Sequence, residues 1–305
     1  MDKRTVLKCE KINKKMGRKQ ILKDVSLEIL EGDILGFIGP NGSGKTTTIK
    51  LIIGLQSIDS GTVTINGYDI KNDFIKAIER VGTIVENPDL YLYLSGLDNL
   101  KLVRNLYKGV EQKRIDEVVK LVGLENRIKD KVSKYSLGMR QRLGIAQAIL
   151  HKPNILILDE PTNGLDPEGI KELRELLKKL AKEENMAILI SSHNLAELDN
   201  FCHKVAIIKS GEIIETSEIK ELKKGNKKES YIFELNKTKT IEKIFNSTEF
   251  EVVDDKFVRF TTSKKDVPKV VKLLVDNQFN IYSIQEESET LEDVFLKKTG
   301  GNVID

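Results

Sequence analysis

Apolar and polar positions follow two rhythms in the middle of the chain. Residues 155–158 and residues 187–190 are runs of four apolar side chains, whereas residues 170–180 space their apolar side chains three and four positions apart. Short continuous apolar runs are typical of strands buried on both faces, and the wider spacing is typical of an amphipathic helix. The order strand, helix, strand predicts a parallel α/β sheet here.

The residues before this sheet predict two further layers. Strand-like runs at residues 25–29 and 61–68, bounded by turn signals, predict an antiparallel β layer beside the core. From residue 95 to residue 128, apolar side chains such as Leu97, Leu100 and Val103 recur every three or four positions. We therefore expect a helical subdomain in that stretch.

A lysine-rich stretch separates the α/β pattern from a different pattern of strands and one helix towards the end of the chain. Five lysines lie within residues 220–228, and such a charge run is typical of a solvated linker. Three strand-like runs and one helical pattern follow it, at residues 231–235, 249–253, 257–260 and 267–276. We therefore divide the chain into an α/β domain, a lysine-rich linker and a small C-terminal α+β domain, at residues 1–218, 219–229 and 230–305.

Composition narrows the class of protein. Of the 305 residues, 32% are charged and 39% hydrophobic, and no apolar run approaches the roughly 18 to 20 residues that a membrane-spanning helix needs. The N-terminus leads into no signal-peptide core, so we expect a cytoplasmic protein. Cys9 and Cys202 form no C-x-x-C pair and suggest neither a disulfide framework nor a metal site. A net charge of +3 is too small to imply nucleic-acid binding.

Residues 39–46, hereafter the P-loop, fit the pattern G-x-x-x-x-G-K-[ST] at every fixed position. They stand between an apolar run at residues 34–38 and an apolar helix opening, which is the strand–loop–helix setting that this pattern requires. Glycines let the backbone amides point inward at phosphates, Lys45 reaches the β- and γ-phosphates, and Thr46 can bind Mg²⁺. The residues expected to contact nucleotide are Gly39, Pro40, Asn41, Gly42, Ser43, Gly44, Lys45, Thr46 and Thr47.

Two carboxylates follow the apolar run at residues 155–158. Asp159 and Glu160 therefore stand at the carboxyl end of a buried strand, where ligands bind in open α/β sheets. We expect Asp159 to hold Mg²⁺, directly or through water, and Glu160 to act as the general base on the attacking water.

An ordered set of motifs resembles the ATPase subunit of an ABC transporter. Tyr135-Ser136-Leu137-Gly138-Met139 stands where that family has its Leu-Ser-Gly-Gly-Gln signature, and we call residues 135–142 the signature loop. Ser136 and Gly138 match this pattern, whereas Leu137 and Met139 depart from it. In the family the loop faces the nucleotide of the opposite subunit, so the resemblance implies a dimer, homomeric or with a similar subunit, that closes on two ATP molecules.

Two further elements carry the resemblance. Residues 163–166, hereafter the joining loop, correspond to the family's loop between the two sites, with Asp166 as its acidic member. His193 matches the family's switch histidine, which contacts the γ-phosphate. The resemblance thus adds Ser136, Gly138 and Asp166 to the nucleotide site and makes His193 catalytic beside Glu160 and Lys45.

Two departures concern nucleotide binding. Glu86 stands where the family usually has glutamine, so a metal-facing carboxylate lies beside the triphosphate and would repel the phosphates if it were unpaired. The resemblance associates this glutamate with exporters of lantibiotics and bacitracin. Met16 stands where an aromatic side chain normally stacks on adenine, and we expect its thioether side chain to pack against the base there.

The resemblance implies a MgATP-hydrolysing subunit that drives a separate polytopic permease from the inner face of the membrane and binds no nucleic acid. It points to an antimicrobial peptide or similar amphipathic compound as cargo, and to contact with the permease through the surface after Glu86, including Tyr91 and Tyr93. The string at residues 291–296 also resembles this family, and by itself predicts a final amphipathic helix. Two alternatives stay open at this point: an ATPase of the same fold that acts on DNA or ribosomes, and a nucleotide-gated scaffold without turnover.

Overall fold

The computed structural model describes residues 3–193, 198, 202–224, 230–239, 241–245 and 249–287. These residues fall into two compact units, which divide between Ile219 and Lys220. None of the described helices is both long and apolar enough to pass through a bilayer. The predicted final helix at residues 291–296 lies outside the described residues.

A six-stranded sheet forms the centre of the first unit. Its strands are β3 (Ile34–Ile38), β6 (Val81–Ile84), β7 (Ile155–Leu158), β8 (Ala187–Ser192), β9 (Lys204–Lys209) and β10 (Glu212–Glu218). The order across the sheet is β10-β9-β3-β8-β7-β6, and every pairing is parallel except that of β10 with β9. All residues of β3, β7 and β8 are buried, as the continuous apolar runs predict.

The predicted antiparallel layer is a second sheet. It contains β1 (Thr5–Met16), β2 (Lys19–Leu30), β4 (Ser60–Ile65) and β5 (Tyr68–Asp69), in the order β2-β1-β4-β5. The single strand expected at residues 61–68 is in fact a hairpin, because Asn66 and Gly67 adopt φ of 54° and 85°. An Asn-Gly pair with positive φ makes the tight turn that joins two short strands. The inner side chains of this sheet share one core with the central sheet.

Helices of the first unit cover the central sheet and form the predicted helical subdomain. They are α1 (Lys45–Ile52), α2 (Phe74–Ile78), α3 (Gly96–Arg104), α4 (Gln112–Leu121), α5 (Leu137–Ile149) and α6 (Pro167–Glu183). The pattern predicted from residue 95 to residue 128 divides into α3 and α4, where Gly109 turns the chain with φ of 84°. Gly144 of α5 approaches Pro88 so closely that an added Cβ would lie 2.5 Å from the proline Cβ. This contact packs α5 beside the segment that follows β6.

The second unit has its own core. Strands β11 (Ser230–Leu235), β12 (Phe250–Val252), β13 (Phe257–Thr261) and β14 (Ile281–Glu287) form an antiparallel sheet in the order β12-β13-β11-β14. Helix α8 (Val267–Asp276) packs on it, and Phe233 and Phe260 are fully buried with ring centroids 5.1 Å apart. The first part of the predicted linker is a short helix, α7 (Ile219–Lys224), which begins at buried Ile219.

Candidate functional site

The P-loop joins the centre of the sheet to α1. An added Cβ at Gly39 would lie 2.4 Å from the carbonyl oxygen of Ile208, so no larger residue fits there. Gly42 and Gly44 have φ of 75° and 110°, which side-chain-bearing residues rarely adopt. These constraints turn the chain tightly into α1, whose first-turn amides have no acceptor within the helix and face the loop.

The Lys45 side chain is enclosed by this loop. Its side chain is 5% exposed, and its ammonium donates to the carbonyl oxygens of Gly39 and Pro40 at 2.8 and 3.4 Å. The same ammonium lies 3.2 Å from Oε1 of Glu160. The structure thus brings together the predicted phosphate-binding lysine and the predicted general base, which stand far apart in the sequence.

The P-loop fits a phosphate group for a further reason. Oγ of Ser43 is buried and has no hydrogen-bond partner among the described residues, although burial of an unpaired hydroxyl is costly. A phosphate oxygen would supply the missing acceptor.

The described residues contain no group of three or more histidine, cysteine or acidic side chains that could hold a metal. A Mg²⁺ ion would therefore need the Thr46 hydroxyl and phosphate oxygens in addition to Asp159.

Ser191 fixes both acidic residues after β7, and the sequence patterns did not identify it. It is fully buried in β8; its Oγ donates to Oδ1 of Asp159 at 2.5 Å and accepts the amide hydrogen of Glu160 at 2.9 Å. Asp159 is 2% exposed, and Glu160 has the unusual φ of 50°. A single hydroxyl therefore orients the predicted metal ligand and holds the strained backbone of the predicted base.

Three side chains hold the Glu160 carboxylate. Lys45 lies at Oε1, while Nδ1 of His193 at 2.5 Å and Nδ2 of Asn163 at 3.0 Å both contact Oε2. Burial favours the neutral acid, but the hydrogen bond from His193 and the charge of Lys45 outweigh it and hold the pKa of Glu160 below its ordinary value. The carboxylate is consequently ionised at neutral pH, as a base must be.

The remaining predicted residues lie apart from this cluster. Ser136 caps α5 by accepting the amide hydrogen of Met139 at 3.3 Å, and Asp166 caps α6 by accepting that of Gly169 at 2.9 Å. Met16 is 44% exposed at the end of β1. Among the described residues, no hydrogen bond or ion pair joins Ser136, Asp166 or Met16 to the P-loop. Their roles at the nucleotide stay predictions.

Glu86 has a partner that sequence reasoning missed. Its Oε1 lies 3.1 Å from Nζ of Lys50 on α1, and its side chain is 67% exposed. Its φ is 66°, so the chain turns sharply directly after β6 and Val85. The ion pair supplies the compensating charge that a carboxylate near phosphates requires, while metal binding by Glu86 stays a prediction.

Comparison with known proteins supports the nucleotide site that the geometry indicates. The family model described as ABC transporter matches residues 22–163. YhcH of Bacillus subtilis (strain 168), described as an uncharacterized ABC transporter ATP-binding protein, is 44% identical over 297 residues, covering 97% of each chain. The bacitracin transport ATP-binding protein BcrA of Bacillus licheniformis is 41% identical over 304 residues, covering 98% of this chain and 99% of BcrA.

A solved structure agrees with these sequence matches. The dimeric structure of a post-hydrolysis state of the ATP-binding cassette MJ0796, bound to ADP and Pi, superposes with a TM-score of 0.62 at 29% identity. The match covers 70% of this chain and 98% of that cassette. The similarity therefore spans an entire nucleotide-binding cassette.

Proposed function

Because the chain belongs to the ABC transporter family, as an ATP-binding subunit that hydrolyses ATP, we propose that two subunits close on two MgATP molecules and drive a separate membrane permease. The subunit partner is a second copy or a similar ATPase subunit. We assign nucleotide binding to residues 1–218 and an accessory role to residues 230–305. The proposal places the protein in the cytoplasm, on the inner face of the membrane.

The contact of Glu160 with Lys45 and His193 is the observation that carries the catalytic proposal. Nucleotide would be held by the P-loop amides, Ser43 and Lys45, and Mg²⁺, which would neutralise phosphate charge, by Thr46 and Asp159. We infer that the Lys45 ammonium exchanges Oε1 of Glu160 for a phosphate oxygen and keeps its contacts with the carbonyl oxygens of the loop. Since the contact with Lys45 lowers the pKa of Glu160, its loss leaves a stronger base with Oε1 available to accept a proton from water.

The position of the signature loop supports a dimer. It opens α5, which packs beside the segment after β6 at one edge of the sheet, whereas the P-loop follows β3. Strands β8 and β7 lie between β3 and β6. One chain therefore does not bring Ser136 and Gly138 to its own P-loop, and a second subunit would supply them. The MJ0796 cassette is described as dimeric, which accords with this proposal.

An apolar surface beside Glu86 supports a permease contact. Tyr91 and Tyr93 are 53% and 68% exposed, far more than large aromatic side chains usually are. A cavity of about 430 Å³ nearby is lined by Pro88, Tyr107 and His151 among others. We propose that the permease covers this surface and that Glu86 senses the contact.

For the cargo, we propose an antimicrobial peptide or similar amphipathic compound. BcrA, which matches along nearly the whole chain, is described as a bacitracin transport protein. Glu86 supports the same cargo class, because the resemblance associates a glutamate at this position with exporters of lantibiotics and bacitracin. Cells lacking this chain should be inhibited by such a peptide at concentrations at least about fourfold lower than normal cells, and complementation should restore resistance. Unchanged sensitivity across a panel of cyclic peptides and lantibiotics would refute this cargo class.

ATP-dependent dimerisation tests the rest of the proposal. Glu160→Gln keeps the size of the side chain and removes the base, so it should bind ATP without hydrolysing it. Light scattering coupled to gel filtration should give twice the subunit mass with MgATP and the subunit mass without it. A variant that stays monomeric with saturating MgATP would contradict the homodimer and leave a similar ATPase subunit as the partner, and wild-type turnover in that variant would contradict the role of Glu160.

A further inference from the structure

We propose that Asn163 is a positioning residue for Glu160 and that Leu137 of the signature loop holds the joining loop in the conformation that allows it. The role of Asn163 follows from the geometry of one chain. The role of Leu137 as a link between sites rests on the proposed dimer, because it assumes that the signature loop meets the partner's nucleotide.

Asn163 contacts the base directly. Its Nδ2 donates to Oε2 of Glu160 at 3.0 Å, and its own amide donates to the carbonyl oxygen of Glu160 at 3.2 Å. His193 contacts the same carboxylate oxygen, whereas Lys45 contacts the other. Two hydrogen-bond donors, from Asn163 and His193, thus hold Oε2 of the carboxylate, and the Lys45 ammonium holds Oε1.

This division has a consequence during turnover. The Lys45 ammonium has three hydrogens and already faces the carbonyl oxygens of Gly39 and Pro40 as well as Oε1 of Glu160, so it gives up one of these acceptors to bind a phosphate. In this proposal it gives up Oε1, and the orientation of the carboxylate then depends on Oε2. His193 alone leaves the carboxylate free to rotate about one contact. Asn163 adds a second donor to Oε2, from the joining loop, whereas His193 follows β8. A carboxylate with two fixed contacts at Oε2 keeps Oε1 directed at the attacking water. Orientation of this kind acts on turnover rather than on substrate binding.

The Leu137 side chain lies against the joining loop. Gly164 has φ of 74°, and an added Cβ there would lie 2.9 Å from Cδ2 of Leu137. The amide of Leu165 donates to the carbonyl oxygen of Thr162 at 3.1 Å, which closes the turn around Asn163 and Gly164. Leu137 stands where the family signature has glycine, so a glycine at this position would have no side chain to make the contact.

These contacts form one continuous path. It runs from the Leu137 side chain to Gly164, through the peptide bond to Asn163, and by a hydrogen bond to Glu160. A displacement of the signature loop on engaging the partner's nucleotide would therefore move the donor that orients this subunit's own base. Leu137 can make this link because it has a side chain at the position where the family signature has glycine.

The first experiment compares Asn163→Ala with Asn163→Asp in ATPase assays on the full chain. Each should lower kcat about tenfold and leave KM for MgATP within about twofold of wild type. Asn163→Asp keeps the shape of the side chain but cannot donate, so it should be impaired at least as much as Asn163→Ala. Full activity of Asn163→Asp, or a raised KM with unchanged kcat, would overturn the positioning role.

The second experiment tests the path from Leu137. Leu137→Ala should lower kcat about threefold, and the double variant Leu137→Ala/Asn163→Ala should be no slower than Asn163→Ala alone, because both changes break one path. Leu102→Ala is the matched control, since Leu102 is 44% exposed and Leu137 42%; it should keep wild-type kcat. Multiplicative losses in the double variant would overturn the path through Asn163.

Dimerisation and the positioning role of Asn163 can be measured separately. Light scattering on Glu160→Gln with MgATP reports dimerisation without involving Asn163 or Leu137. If that variant stays monomeric while Asn163→Ala still loses kcat, the homodimer and a link between the sites of two identical copies are rejected, and the positioning role stands. If it dimerises and Asn163→Ala turns over normally, the positioning role is rejected and the dimer stands.

Discussion

Replacing Ser191 with alanine should destabilise the first unit strongly, because one buried hydroxyl serves two partners. The variant leaves the amide of Glu160 without its acceptor and removes a charge-assisted hydrogen bond to Asp159, which is 2% exposed. An unsatisfied buried group costs about 1–3 kcal/mol, and a hydrogen bond to a charged group contributes about 1.5–3 kcal/mol. Allowing for partial relaxation, we expect a loss of about 3 kcal/mol in the free energy of unfolding.

Thermal unfolding of the full chain, followed by circular dichroism, measures this loss. For a unit of this size about 1 kcal/mol corresponds to a Tm shift of roughly 2–4 °C, so the major transition should fall by roughly 6–12 °C. Ser26→Ala is the matched control: the Oγ of Ser26 also accepts a backbone amide hydrogen, from Lys11 at 2.9 Å, but at an exposed position. If the Tm of Ser191→Ala falls no further than that of Ser26→Ala, Ser191 does not fix the two carboxylates.

Two other substitutions test charges around the sheet. Glu86→Gln should keep the ATP dissociation constant within about threefold in a direct titration, because the ion pair with Lys50 already offsets the charge that it removes; a large loss of affinity would show that the carboxylate is required. Asp33 is buried, which favours its neutral form, but its contacts with Lys3 and Lys204 outweigh burial and lower its pKa. A lowered folded-state pKa gives stability that is present above the unfolded-state pKa of about 3.9 and is lost as pH falls through the folded-state pKa. Asp33→Asn should therefore reduce the urea midpoint at pH 7 and flatten its fall below about pH 4, and a midpoint equal to wild type at pH 7 would contradict this assignment.

The central sheet could be predicted because its strands are buried on both faces. Continuous apolar runs and the P-loop pattern identified β3, β7 and β8, and helical spacing identified α6. The first strand, β1, was not predicted, because its register shifts between Cys9 and Ile12, where Lys11 has φ of 48° and breaks the alternation of buried and exposed residues. Strand β10 alternates between half-buried and exposed positions, and no fully buried residue marks it.

The candidate site was predicted where a pattern encodes chemistry. A phosphate loop and a strand that ends in two carboxylates have fixed spacing, so Lys45 and Glu160 could be identified from the sequence alone. Ser191 could not, because a serine at the end of an apolar strand carries no indication of what it contacts across the sheet. Asn163 and Lys50 are equally ordinary in sequence, since loop asparagines and helix lysines usually face solvent, and only the fold brings them to Glu160 and Glu86.

Co-purification from native membranes tests the central claim most directly. Glu160→Gln would be expressed in its own cells, trapped with MgATP and isolated after detergent solubilisation, with Lys45→Ala, which should not bind nucleotide, treated in the same way. We predict that one polytopic membrane protein accompanies Glu160→Gln in an ATP-dependent manner. Recovery of ribosomes or nucleic acid, with no membrane protein, would contradict a role in transport.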